Sequence, residues 1–284
     1  MMRILLVGAS GLVGHHVFRL LQKHKDVEVI GTCFQHAWDE KLISVDLTLS
    51  GGIDRLLVSH QPDLVLWCAM HEQGSLEEKM FEYGLQPLLA HAKSSMRMLY
   101  VSTDGVFPGT KGNYAEDEET SRLLATTPVA AYTNTKRQTE RHLLMNHENL
   151  CIVRVGPIYG QNTRGQWDRR TTSLILSLKH SEPLFRATNL LRTFVYVEDV
   201  ANALVELAES SYRGILHLGP STSSSYYDFA LRMAKHVGLS TDLIQPYEVS
   251  PQDMEQKAIR VNTTLNTQKA RLILQTNFRA LEQL

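Results

Sequence analysis

The chain has 284 residues, enough for a large core and for one or two domains. Its formal charge of −1 excludes bulk attraction to nucleic acid or to an acidic membrane surface. Three cysteines, Cys33, Cys68 and Cys151, lack paired spacing, which argues against a disulfide framework and a zinc site, and the histidines show no metal-ligand spacing. The chain enters a strand at once and has no apolar run long enough to span a bilayer. The simplest expectation is a soluble cytoplasmic protein without a signal peptide.

Residues 4–7 form a short unbroken apolar run, the pattern of a strand covered on both faces. Gly8, Gly11 and Gly14 follow, and then Val13, Val17, Leu20 and Leu21 repeat at helical spacing. Strand, glycine turn and helix thus succeed one another without a gap. A helix N-terminus offers unpaired N–H groups to a phosphate, and glycines let a pyrophosphate approach the backbone. The spacing Gly-x-x-Gly-x-x-Gly is one residue longer at the front than the usual dinucleotide fingerprint.

Strands are predicted over 27–32, 42–46, 64–69, 98–102 and 150–155, with helices over 51–60, 76–93 and 129–146. Such alternation builds a doubly wound parallel sheet whose ligand crevice lies at the strand C-terminal ends. The 76–93 helix is read as a homodimer face or as a cover for the sheet. Beyond Val155 the chain turns irregular. Residues 156–172 read as loop, followed by helices over 172–180, 199–209 and 226–237, a strand over 214–218 and a last helix within 262–274.

The second strand ends in Thr32-Cys33-Phe34-Gln35, without the carboxylate that an NAD site places about 20 residues beyond the glycines. This favours NADP over NAD as cofactor. Asp46, after the third strand, is read equally as a partner of the adenine amino group and as a local cap.

Two further segments carry chemistry. Ser102-Thr103-Asp104 follows the fifth strand, and Tyr132-x-x-x-Lys136 opens a helix. Tyrosine and lysine four apart share a helix face, and the ammonium lowers the phenol pKa, which suits Tyr132 to general acid–base work. A Thr103 hydroxyl can polarise a substrate carbonyl. Arg164, Arg169 and Arg170 read either as a solvated face or as partners of a diphosphate. His15 and His16 read as surface or edge residues, Tyr226 and Tyr227 as packing, and His71 as a crevice residue able to meet ligand.

These motifs resemble the extended short-chain dehydrogenase/reductases, and most closely the dTDP-4-dehydrorhamnose reductase-like family. The resemblance rests on Gly8 to Gly14, Pro62 to Ala69, Ser102-Thr-Asp-Gly-Val-Phe-Pro-Gly109, Arg154-Val-Gly-Pro157-Ile-Tyr-Gly160 and Tyr196-Val-Glu-Asp-Val-Ala201. Gly214 to Gly219 and Leu265 to Lys269 extend it over nearly the whole chain. It implies an α/β, Rossmann-type doubly wound parallel sheet with a smaller C-terminal substrate-binding region. Residues 1–155, rejoined by 190–220, would bind NAD(P), and 156–284 mainly the substrate.

It also implies roles. Thr103, Tyr132 and Lys136 would be catalytic. Ser10, Gly11, Leu12 and Val13 would contact the pyrophosphate within a cofactor loop bounded by Gly8 and Gly14, and Asp46 and Leu47 would flank adenine. Cys68, Ala69 and Met70 would line the ribose, with Thr32, Val101 and Pro157 completing the cofactor site. Asp104, Val106, Phe107 and Arg192 would face a sugar-nucleotide substrate. The implied reaction is NAD(P)H-dependent reduction of a 4-keto sugar nucleotide. The alternatives are a nucleotide-sugar epimerase and a non-catalytic NADP-binding subunit like the regulatory subunit of methionine adenosyltransferase. Departures from the family pattern are Gly105 in place of tyrosine, Trp67 in place of asparagine, and Thr133 and Thr139 in place of glycines. Gly105 also lacks the glutamate that dehydratases of this superfamily use to abstract a proton.

Overall fold

Seven parallel strands stack in one sheet in the computed structural model, which describes residues 1–35, 37–71, 74–91, 95–124 and 127–283. They are β1 (Met2–Val7), β2 (Val27–Cys33), β3 (Leu42–Ser44), β4 (Leu64–Trp67), β5 (Arg97–Thr103), β6 (Leu150–Val155) and β7 (Gly214–Leu218). The spatial order is β7-β6-β5-β4-β1-β2-β3, with every pairing parallel. The order reverses between β1 and β4, which opens a crevice at their C-terminal ends.

Helices cover both faces. Helix α1 (Leu12–Leu21) buries Val13, Val17, Phe18 and Leu21 on the face that Val197–Glu209 also covers. The opposite face takes α2 (Gly52–His60), α3 and α4 (Pro128–Asn146). Here α3 is the run Gly74–Met80, a π-helical turn Phe81–Leu85, and Gln86–His91. The end of the predicted 76–93 helix lies outside the described residues. Thr127 caps α4 by accepting the Ala130 N–H at 3.2 Å, and Pro128 follows at the first turn, where its missing N–H costs nothing.

Trp67 shows why the π turn sits where it does. Its indole is fully buried at the end of β4, and a Cβ on Gly84 would come within 2.8 Å of it. The turn brings a glycine over the ring, and the indole N–H donates to Ala69 O at 3.1 Å. Tryptophan in place of asparagine is thus accommodated from the neighbouring helix.

After Val155 the chain builds a separate small core around Tyr159, Leu174, Phe194, Phe229 and Met233. Short strand pairs frame it: Ile158–Tyr159 with Val195–Tyr196, Leu184–Ala187 with Ile244–Tyr247, and Leu191–Arg192 with Ser224–Ser225. None of these pairs is legible as periodicity, because two to four residues do not display one. The predicted 172–180 helix begins earlier, at Arg169, because Asp168 caps it through the N–H groups of Arg170 and Thr171. The last helix is only Gln268–Ile273. No helix among the described residues is long and apolar enough to cross a membrane.

Candidate active site

The strand ends converge on a cleft of about 1560 Å³. The glycine turn forms one wall. Gly8 has a φ of +91°, and a Cβ there would strike Ala69 N at 2.7 Å. A Cβ on Gly14 would come within 2.1 Å of Gly8 O, so only glycine lets α1 start this close to β1. Gly11 is the N-cap of α1, and no side chain caps the helix. The first-turn N–H groups therefore stay available at the cleft, an arrangement that fits the pyrophosphate of a dinucleotide. The Thr32 hydroxyl braces the turn by accepting the Gly8 N–H at 3.0 Å.

Ser10, Leu12, Val13, Thr32, Asp46, Leu47, Cys68, Ala69, Met70, Val101 and Pro157 line the same cleft, as do Thr103, Asp104, Tyr132 and Lys136. Asp46 is a local cap at the edge of the cleft. It lines the cleft, while its Oδ1 accepts the Thr48 N–H at 2.9 Å and hydroxyl at 2.6 Å. Burial pushes the Cys68 thiol up to about 12, against the pull of Lys136, so it stays protonated. No group of metal ligands occurs among the described residues.

The far wall holds the polar groups. Thr103 donates to Asp104 Oδ1 at 3.1 Å and accepts the Gly105 N–H at 3.1 Å. Asp104 is held further by the Thr263 hydroxyl and lies 3.8 Å from Arg192 Nε. Burial raises the Asp104 pKa, and Arg192, Thr263 and Thr103 oppose that rise. Lys136 pairs with Glu77 at 3.1 Å and donates to Val101 O at 3.4 Å. Its pKa is raised: burial works against the charge, but Glu77, Tyr100 and Tyr132 outweigh it.

Tyr132 departs from expectation. Lys136 does draw its pKa down, but burial, Glu77 and Asp104 push the other way, and the phenol stands at about 12. A lysine already matched by a buried carboxylate lowers a neighbouring phenol less than a lone one would.

Val106 and Phe107 are placed away from the cleft, and Arg192 lies just behind its wall, against Asp104 and Tyr226. Val106 and Phe107 are fully buried in a small cluster with Tyr114 and Leu265, and Phe107 stacks on Tyr114 at 4.5 Å. Arg192 spends its Nη groups on the carbonyls of Leu191, Val261 and Arg260. Val106 and Phe107 thus offer a ligand no surface, and Arg192 backs Asp104. Arg169 and Arg170 do line the cleft, with the Arg170 guanidinium held over Tyr226 and Phe229 at 5.8 Å.

His15 is no surface residue. It is buried, stacks on Trp38 at 4.0 Å and bonds Thr163 at 2.9 Å, and burial lowers its pKa to about 4. His16 meets Gln161 O at 2.7 Å. Together they staple α1 to the loop after β6. Glu77 is the site residue that motif reading misses. Its signal is an acid on the stripe Glu77, Met80, Gly84, Leu88, whose other members are buried and apolar or glycine.

Comparison with known proteins bears on the fold and the family. Methionine adenosyltransferase 2 subunit beta of Rattus norvegicus is 25% identical over 263 residues, 88% of this chain and 76% of that protein. A probable dTDP-4,6-dihydroxy-2-methyloxan-3-one 4-ketoreductase of Streptomyces antibioticus is 24% identical over 266 residues, 86% of this chain and 80% of that protein. Among solved structures, the dTDP-4-dehydrorhamnose reductase of Bacillus anthracis in complex with NADP superposes with a TM-score of 0.77 at 18% identity, covering 99% of this chain and 95% of that one. The family model described as RmlD substrate binding domain matches residues 2–283, so the chain belongs to that family.

Proposed function

We propose that the protein is an NADP(H)-dependent reductase of a 4-keto sugar nucleotide, similar to dTDP-4-dehydrorhamnose reductase. One observation carries this reading: Thr103, Tyr132 and Lys136 stand in the same cleft as an uncapped, glycine-cradled helix N-terminus. The glycine turn and Lys136 would hold the cofactor, whose nicotinamide would supply hydride to the carbonyl carbon. Tyr132 gives its proton to the substrate oxygen, which a phenol that stays protonated at neutral pH is able to do. Thr103 turns its hydroxyl from Asp104 to that oxygen. Lys136 orients the ribose and steadies the phenolate left behind. Arg169 and Arg170 take the diphosphate of the sugar nucleotide, as forked donors suit phosphate oxygens. The absence of a carboxylate in Thr32 to Gln35 supports NADP over NAD.

The test titrates the protein with NADPH and NADH, then adds dTDP-4-dehydrorhamnose and follows the reduced-nicotinamide absorbance. NADPH is expected to bind more tightly and to be oxidised. Tyr132→Phe is expected to lose about 10²–10⁴-fold in turnover with cofactor binding retained. A second reading is favoured by the methionine adenosyltransferase 2 subunit beta relatives: a cofactor-binding regulatory subunit. Cofactor binding without oxidation of any keto-sugar nucleotide, together with capture of a methionine adenosyltransferase catalytic chain, would select it.

A further inference from the structure

Lys136 is held in a way that its family role does not require. Its ammonium sits 3.1 Å from Glu77 Oε1, with the two side chains 2% and 5% exposed. Glu77 belongs to α3, a different helix from the lysine. Its other oxygen, Oε2, accepts the backbone N–H of His71 at 2.6 Å. Residues Cys68 to His71 line the cleft, so one carboxylate joins the cleft wall after β4 to the lysine on α4. The lysine is enclosed further by the rings of Tyr100 at 4.7 Å and Tyr132 at 5.9 Å.

Packing alone gives no reason for a carboxylate here. Burying an ion pair costs desolvation of both partners, and an apolar pair of similar volume is often at least as stable. A leucine at 77 would continue the inner stripe of α3. The charge therefore calls for a role in the lysine it faces.

We propose that Glu77 is a positioning residue for the Tyr132–Lys136 pair: it anchors the ammonium against the cleft wall, and its charge offsets the lysine's pull on the phenol. The proposal rests on the reading of Tyr132 and Lys136 as the reacting pair. The charged and titratable groups facing them come from every side. Lys136 and Tyr132 lie on α4, Glu77 on α3, Tyr100 on β5, Asp104 in the turn after β5, and Cys68 in the loop after β4. Of the charges around the phenol, Lys136 favours ionisation, while Glu77 and Asp104 oppose it. Removing the Glu77 charge leaves one lysine against one acid and makes Tyr132 easier to ionise.

The test reads the phenol directly, without substrate. The chain's 10 tyrosines are replaced by 3-fluorotyrosine, whose phenols titrate lower, and fluorine NMR follows each resonance with pH. Tyr132 is assigned by its loss in Tyr132→Phe. Glu77→Gln keeps size and hydrogen bonding but removes the charge, and the Tyr132 midpoint is expected to fall by roughly one pH unit or more. An unchanged or raised midpoint overturns the proposal. Glu77→Asp keeps the charge on a shorter stem, and its midpoint is expected within about 0.3 unit of wild type. A fall there as large as in Glu77→Gln overturns the charge role.

Should Glu77→Gln fail to fold, the wild-type Lys136 ammonium decides, assigned by nitrogen NMR through its loss in Lys136→Arg. Slow hydrogen exchange supports the anchored pair, and exchange as fast as at surface lysines overturns it. NADPH oxidation is measured separately. Midpoints as expected without turnover of any keto-sugar nucleotide uphold Glu77 and overturn the reductase reading. Turnover lost in Tyr132→Phe, with a midpoint indifferent to Glu77, does the reverse.

Discussion

Two buried ion pairs hang from helix α4, one turn apart, and they are built differently. Arg154 on β6 clasps Glu140 through Nε at 3.0 and 3.2 Å and through Nη2 at 2.7 Å. Its remaining nitrogen, Nη1, donates to Glu116 O, and the guanidinium lies over Phe107 at 5.0 Å. Lys136 meets Glu77 through a single close contact, at the wall of the cleft. A planar fork fixes both partners and leaves little to spare. An ammonium has three rotatable donors and can offer one to a ligand while keeping its carboxylate. The first pair holds the sheet to its helix, and the second stands at the wall of the cleft.

Breaking the fork gives the largest expected effect. Arg154→Met leaves Glu140 buried and unpaired, and should cost about 3–5 kcal/mol in chemical denaturation. Cofactor affinity of the folded fraction should be unchanged. Adding Glu140→Leu should recover most of that loss, because both charges are then gone.

Acid probes the same neighbourhood. His217 lies beside the fork, with Nε2 3.5 Å from Arg154 Nη1 and Nδ1 3.1 Å from Tyr114 O. Its pKa is lowered from 6.5 to about 3, by burial first and by Arg154 second. The unfolded chain therefore takes up this proton before the folded one does. The stability held above the unfolded value is lost as pH falls from 6.5 towards 3, by roughly 3–5 kcal/mol. His15, lowered to about 4, adds to the same slope. Denaturation midpoints across that range should show the slope, and His217→Gln should lack its share.

The smallest effect lies beside the chemical pair. A Cβ on Gly105 would sit 3.2 Å from Thr133 Oγ1 and 3.4 Å from Thr103 Oγ1. Thr133 thus closes over the space beside Gly105, so two departures from the family pattern belong together. Gly105→Ala should cost no more than about 1 kcal/mol. A double-mutant cycle with Thr133→Ala should show coupling of about 0.5 kcal/mol or more.

Local patterns made much of this molecule readable. The apolar run of β1, the three glycines and the stripe of α1 occupy consecutive residues, so strand, turn and helix could be read together. Tyr132 and Lys136 are four apart on one helix, which is also a local fact. Val106 and Phe107 follow the cleft-lining Ser102-Thr103-Asp104 segment closely, yet they turn into a core with Tyr114 and Leu265. Nearness in sequence was a poor guide there, because a 3₁₀ turn over Asp104–Val106 stands between the extended Thr103 and Phe107 and buries Val106. His15 looked exposed because its burying partners, Trp38 and Thr163, lie far along the chain.

The sequence by itself determined the layered α/β class, the glycine-bound start of α1 and the residue types of the chemical group, because each depends on period, spacing or turn chemistry within one or two elements. Tertiary structure alone decided which charges face one another. Glu77 reaches Lys136 across fifty-nine residues, and Glu140 meets Arg154 between a helix and a strand. The interaction of two charges is set by their separation and burial once the chain is folded. That is why the state of the Tyr132 phenol could be read only from the assembled cleft.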